Sequence, residues 1–166
     1  HGCTAIVCSS NATDQYEKYF PHAVDFVVRG EGEETLKELL KALENASDCS
    51  LVPGVAFKEG GQTVVTERRK VMKELDHLPL PAWDLVDIQP YREIWKKYHG
   101  YFSLNIATTR GCPFKCNWCA KPIYGNRYNS RSPENVVKEI EMLLTLYQPD
   151  HFWVCDDIFG LKPGWV

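Results

Sequence analysis

The stretch Cys112-Pro-Phe-Lys-Cys116-Asn-Trp-Cys119 puts three thiols into eight residues with the spacing C-x3-C-x2-C. Three sulfurs that serve one centre from so short a run must come from a single loop, and regular elements must hold its two ends. The apolar run Phe102 to Thr108 leads into it and reads as a strand. After a polar, glycine-containing stretch, Ser132-Pro133 opens a helix, with Ser as N-cap and Pro at the first helical position. A ligand loop at the C-terminal end of a strand belongs to α/β folds. Thiolates are the natural ligands of iron–sulfur clusters, and three of them leave one iron of a four-iron cubane without a protein ligand. An open metal position suits catalysis, whereas a structural site is closed. Gly111 permits a tight turn before the first thiol. Arg110, Lys115 and Lys121 put positive charge beside the thiolates. Zinc is the competing metal, but a structural zinc site wants four ligands, and His99, His151 and Cys155 are distant in sequence.

The remaining composition narrows the class. Seven cysteines in 166 residues is an odd count, which argues against a complete intrachain disulfide framework. Clustered thiols in a reducing compartment read as metal ligands, so the expected location is cytoplasmic. Cys3, Cys8 and Cys155, in or beside apolar runs, read as small buried hydrophobes. A net charge of −3 gives no reason to expect nucleic acid or an anionic membrane as partner. No apolar run is long enough to span a bilayer. The first residue is not Met, so the chain is expected to be an internal or truncated piece.

Along the chain, Thr4–Cys8 and Val24–Val28 read as buried strands, with Thr13 as cap of a short helix through Phe20. Leu36, Leu39, Leu40 and Leu43 make Glu33–Asn45 an amphipathic helix, with Glu33 and Glu34 favourable to its dipole. Gly60-Gly61 between two alternating runs is a hairpin signal. Two prolines in Leu78-Pro-Leu-Pro81 forbid a regular helix, so Leu75–Leu85 reads as an ordered linker that lays Leu78, Leu80 and Trp83 on a neighbour. Val136, Val137, Ile140, Leu143, Leu144 and Tyr147 supply the apolar face of the helix from Ser132, which Pro149 ends. His151–Cys155 is the following strand, ending in Asp156-Asp157.

Together these residues carry a resemblance. Thr109-Arg-Gly-Cys-Pro-Phe-Lys-Cys-Asn-Trp-Cys-Ala120, then Ser132-Pro-Glu-Asn-Val-Val137, then Asp156-Asp157 resemble the radical S-adenosylmethionine superfamily, in the branch that fuses a cobalamin-binding domain to the radical domain. That branch includes cobalamin-dependent radical methyltransferases and the anaerobic magnesium-protoporphyrin monomethyl ester cyclase. Val24-Asp-Phe-Val-Val-Arg-Gly-Glu-Gly-Glu-Glu34 is similar to the last strand and helix of its cobalamin domain, and Leu75–Leu85 to its interdomain linker. The resemblance implies the end of a Rossmann-like cobalamin domain at residues 1–50, a hairpin and linker at 51–99, and the first strands and helix of a partial (β/α)6 barrel at 100–166. It implies a [4Fe–4S] cluster on Cys112, Cys116 and Cys119, with S-adenosylmethionine chelating the free iron. One-electron reduction breaks the sulfonium bond and yields a 5′-deoxyadenosyl radical that abstracts hydrogen from substrate. Trp118 is then expected against the adenine and the Asp156-Asp157 strand end against the methionyl part. Packing for Trp118, and a solvated loop or helix cap for the aspartates, are the structural alternatives. Ser9, Ser10 and Gly30 fall where the cobalamin tail would lie, although turn roles serve them equally. An electron donor such as flavodoxin or ferredoxin is implied.

The family's D-x-H-x-x-G, whose His can ligate cobalt, does not occur here, and the early strands of a cobalamin domain are missing. Two other functions stay open: a zinc module using Arg127, Arg131 and nearby aromatics to bind a partner, and a plain electron-transfer protein with a fourth cluster ligand. The missing motif predicts that residues 1–50 alone do not bind cobalamin tightly. Equilibrium dialysis against hydroxocobalamin checks this: retention at low micromolar concentration contradicts it.

Overall fold

The computed structural model describes residues 2–121 and 123–165. The chain forms two compact units, His1–Met72 with Phe114–Asn126, and Lys73–Pro113 with Arg127–Val166. Both are α/β, and each is taken separately below.

In the first unit, Ile6–Cys8 (β1) and Phe26–Val28 (β2) pair in parallel. Val55–Glu59 (β3) runs antiparallel to β2, and Gln62–Val65 (β4) closes the sheet order β1-β2-β3-β4. The hairpin turns at Gly60 and Gly61, with φ of 57° and 82°, both in the left-handed region that such turns require. The period-2 alternation of β2 divides the core in two. Val28 packs with Leu39, Val55 and Phe57 on one face, while Val27 packs with Ala12 and Ala56 on the other.

A short helix, Ser10–Gln15 (α1), covers the second face, and its cap is Ser9, not Thr13. The Ser9 Oγ accepts from the Ala12 N–H at 2.9 Å. Thr13 lies buried inside the helix, donates to the Ser9 carbonyl at 2.9 Å and accepts from the buried Gly30 N–H at 3.1 Å. It is a cross-strand tie, because it joins the chain leaving β1 to the chain leaving β2.

Glu33–Glu44 (α2) lies where the apolar spacing puts it, but is rotated about its axis. Its buried residues are Thr35, Leu39 and Ala42, whereas Leu36 and Leu40 are exposed. Backbone hydrogen bonding explains the turn, since Thr35 Oγ1 donates to the Pro53 carbonyl at 3.2 Å. A Cβ on the neighbouring Gly54 would come within 3.1 Å of that oxygen, so close approach there needs glycine.

In the second unit, Leu75–Leu85 contains two 3-10 turns and no regular helix. Gln89–His99 (α3) follows, a helix that the sequence reading above does not include although Tyr91, Ile94, Trp95 and Tyr98 stand at i, i+3, i+4 and i+7. It has Pro90 in its first turn and ends on Gly100 at φ 79°. Ser103–Ile106 (β5) leads to the two-residue strand Thr109–Arg110 (β6), which pairs antiparallel with Asn129–Ser130 (β7). Pro133–Tyr147 (α4), capped by Ser132, leads to His151–Val154 (β8), which pairs in parallel with β5. Leu104 and Ile106 of β5 bury against Leu143 of α4, with Phe102 fully enclosed. Val137 and Leu144 stay exposed.

A charge sits in this core. Glu139, only 2% exposed, pairs with Arg131 and accepts from the Trp83 indole N–H at 3.4 Å. Trp83 thus docks on α4. Asp76 fastens the same segment by accepting from the Ser132 N–H at 2.9 Å. Among the described residues no helix is long and apolar enough to cross a membrane.

Two predictions follow from these ties. Thr13→Val leaves the Gly30 N–H buried without an acceptor and should cost about 1–3 kcal/mol. Urea unfolding measures it, and Thr13→Ser should restore most of the loss. For Asp76, burial pushes the carboxyl up, but the Ser132 hydrogen bonds and the charges of Arg131 and His77 outweigh it, leaving the pKa below the usual value. Its contribution is therefore complete above about pH 4 and lost as pH falls through the depressed pKa. Asp76 is exposed, so wild type and Asp76→Ala should differ by up to about 1 kcal/mol at neutral pH and converge in acid.

Candidate metal centre

None of the seven cysteines is in a disulfide. Cys3, Cys8 and Cys155 are exposed, contrary to the buried role expected from their apolar neighbours. Cys8 ends β1, the edge strand of its sheet, and Cys155 immediately follows β8, so neither is covered on both faces. The Cys8 sulfur does turn inward, within 3.1 Å of where a Cβ on Gly32 would stand. Burial, then the charge of Glu33, pushes its thiol up. Burial, then Asp48 and Glu59, does the same to Cys49.

The loop cysteines are in a different setting. Cys112 is half-buried, and Cys116 and Cys119 are exposed. The Cys119 N–H donates to the Cys116 carbonyl at 3.3 Å, which makes Cys116–Cys119 a single tight turn. Lys121 closes the surrounding loop by donating to the Phe114 carbonyl and, at 2.9 Å, to Asn126 Oδ1. Lys121 is thus a loop staple rather than a free countercharge. Cys112 belongs to the second unit and Cys116 and Cys119 to the first. Among the described residues no three His, Cys, Asp or Glu side chains are gathered into a metal-holding group. The donor set itself fits an iron–sulfur cluster: three thiols outside any disulfide, on a loop with a glycine turn at Gly111, φ 81°, before the first of them. Trp118 is 88% exposed, so packing does not account for it.

The backbone leading to Cys112 is the most firmly held part of this region. Beyond the β5–β8 ladder, the Asp156 carboxylate accepts from the Thr108 N–H at 2.7 Å and the Thr109 N–H at 3.0 Å. It also accepts from the Thr108 hydroxyl. Thr109 Oγ1 donates to the Ile158 carbonyl at 3.1 Å, and the Arg131 N–H to the Thr108 carbonyl at 2.9 Å. Both threonines are buried. Sequence reading missed them, although Thr108-Thr109 directly before Arg-Gly-Cys is a visible signal of backbone anchoring. Asp157 is exposed.

A cavity of about 460 Å³ in the second unit is bounded by Leu78, Trp83, Ile106, Arg110, Arg131 and Cys155. Arg131 is fully engaged there, donating to the Ala107 carbonyl at 2.9 Å, Asn135 Oδ1 at 2.7 Å, and Glu139. It is not the outward-facing contact residue that the zinc-module reading requires.

In the first unit, Ser9 and Gly30 follow the C-terminal ends of the parallel strands β1 and β2, the edge where open α/β sheets bind ligands. The structure joins them through Thr13. Ser9 acts as a helix cap, Ser10 is exposed at the first helical position, and Gly30 is buried at φ 92°.

No family model matches the chain. An uncharacterised methyltransferase of Pyrococcus horikoshii is 34% identical over 140 residues, 84% of this chain and 29% of that protein. The anaerobic magnesium-protoporphyrin IX monomethyl ester cyclase of Synechocystis sp. is 34% identical over 134 residues, 81% of this chain and 26% of the cyclase. Among solved structures, the cobalamin-dependent S-adenosylmethionine radical enzyme OxsB superposes with a TM-score of 0.75 at 23% identity, over 95% of this chain and 22% of OxsB. The chain thus spans less than a third of the length of the proteins it matches. Over that span its homologues are cobalamin-dependent radical S-adenosylmethionine methyltransferases and the protoporphyrin ester cyclase, and it shares the fold of OxsB.

Proposed function

We propose that this chain carries the cluster-binding part of a radical S-adenosylmethionine enzyme that modifies an organic substrate, by methyl transfer or oxidative cyclisation with cobalamin. The observation that carries the reading is the C-x3-C-x2-C loop that follows β6 in a chain homologous to such enzymes. Cys112, Cys116 and Cys119 hold a [4Fe–4S] cluster and leave one iron open for S-adenosylmethionine. When bound, that pair supplies one-electron cleavage of the sulfonium bond and so a radical for hydrogen abstraction from substrate. Flavodoxin or ferredoxin supplies the electron, in the reducing cytoplasm.

The chain's own residues position and shield. The exposed Trp118 ring, next to the last ligand, covers the adenine, and the Asp156-Asp157 end of β8 faces the methionyl part. Residues 1–50 form the end of a Rossmann-like cobalamin domain, where Ser9, Ser10 and Gly30 face the nucleotide tail. Residues 51–99 are the hairpin and linker, and residues 100–166 begin the barrel. The parallel β1–β2 and β5–β8 pairs support an α/β unit toward each end of the chain, because parallel strands need the helical crossovers that α1 and α4 supply. The zinc-module and electron-transfer alternatives have no observation in their favour.

Anaerobic reconstitution with iron and sulfide should give a brown protein with a paramagnetic reduced state. Cys112→Ala, Cys116→Ala and Cys119→Ala should each abolish or degrade it, while Cys3→Ala and Cys49→Ala should not. Iron analysis and electron paramagnetic resonance check this. Cluster loss on Cys155→Ala points instead to four-cysteine ligation and removes the open iron.

A further inference from the structure

Asp156 and Asp157 are adjacent at the end of β8, yet their surroundings differ. Every hydrogen bond that the structure gives the Asp156 carboxylate goes to Thr108 or Thr109. Oδ1 accepts from both backbone N–H groups, at 2.7 and 3.0 Å, and Oδ2 accepts from the Thr108 hydroxyl. The ladder between β5 and β8 ends as the Cys155 N–H donates to the Ile106 carbonyl at 2.8 Å. Beyond it, the N–H groups of Thr108 and Thr109 lie past the last paired residues of the ladder, Ile106 and Val154. A carboxylate takes both, and hydrogen bonds to an ionised acceptor are roughly twice as strong as neutral ones. The backbone then pairs as β6 with β7, Thr109 opposite Ser130 and Arg110 opposite Asn129, and reaches Gly111 and Cys112.

We propose that Asp156 is a positioning residue, not a ligand to S-adenosylmethionine: its carboxylate fixes Thr108 and Thr109 and thereby aims Gly111 and Cys112 for cluster assembly. This rests on the radical-enzyme reading of the cysteine loop. It assigns the two neighbouring aspartates different work, with the exposed Asp157 the member of the pair open to a bound molecule.

An internal control exists at the opposite end of the same strand pair. Asp150 Oδ2 accepts from the Phe102 N–H at 2.9 Å, ahead of β5. Removing that carboxylate weakens the unit without touching the approach to Cys112.

The experiment uses the whole chain, reconstituted anaerobically, and measures iron per chain, thermal unfolding, hydrogen exchange of the Thr108 and Thr109 amides, and the change in the reduced-cluster resonance spectrum on adding S-adenosylmethionine. Asp156→Ala should speed exchange of both amides and lower iron incorporation by about tenfold, as expected for lost charge-assisted hydrogen bonds. Asp150→Ala should lower thermal stability comparably while keeping wild-type iron. Asp156→Asn is the deciding variant, since its amide oxygen can still accept from both N–H groups. Amide protection, iron content and the S-adenosylmethionine response should stay within about twofold of wild type, the loss of charge assistance only. If Asp156→Ala does not fold, Asp156→Asn still decides the matter. Wild-type protection and iron in Asp156→Ala overturn the proposal and leave the radical reading standing. So does an Asp156→Asn protein that keeps iron but loses the S-adenosylmethionine response, because Asp156 is then a ligand group. A wild-type chain that incorporates no iron removes the radical reading and the proposal together.

Discussion

The buried ion pair between Arg131 and Glu139 is the interaction around which the second unit is arranged. Removing two charges from water is costly unless geometry and further hydrogen bonds compensate, and here they do. The Arg131 guanidinium reaches the Ala107 carbonyl, Asn135 and Glu139, while its backbone carbonyl accepts from the Trp165 indole at 2.6 Å. Glu139 in turn receives Trp83 from the 75–85 segment. The ion pair and the Arg131 backbone together therefore register that segment, the end of β5, the first turns of α4 and the segment after β8 against each other. No hydrophobic contact could do this, because apolar packing is non-directional.

That hub also marks where sequence reading stops. Parallel strands, capped helices and the two-glycine hairpin are written in local chemistry: spacing of apolar residues, Ser132-Pro133, Gly60-Gly61. Glu139 reads as one more polar position on an amphipathic helix, and Arg131 as an exposed basic residue, because nothing nearby in sequence announces their pairing. The same limit explains α2. Its leucine spacing fixes that it is a helix, but Thr35 and its bond to the Pro53 carbonyl decide which stripe is buried. The apolar spacing of α3 is equally regular, with Tyr91, Ile94, Trp95 and Tyr98 at i, i+3, i+4 and i+7, yet Tyr91, Ile94 and Tyr98 stay exposed.

The candidate site divides likewise. The cysteine loop is legible because its meaning lies in spacing, and chemistry allows few uses for three thiols so placed. The residues that hold its approach are not, since Thr108, Thr109 and Asp156 are separated by nearly fifty residues and meet only through the β5–β8 pairing. Ser9, Ser10 and Gly30 could be placed at strand ends from the sequence. The buried hydroxyl of Thr13 that joins two of them required the register of the parallel pair.

The β6–β7 pairing has a consequence for tolerance to change. Pairing β5 with β8 closes a long stretch of chain, but Thr109–Arg110 against Asn129–Ser130 draws that stretch together at its neck. Everything from Gly111 to Tyr128 becomes a side excursion whose length the strand pair does not feel. Loop-closure entropy grows only logarithmically, about 0.6 kcal/mol per doubling, so an excursion pinched off in this way can lengthen or shorten at little cost. The pairing at the neck therefore holds the approach to Cys112 whatever the length of the stretch it encloses.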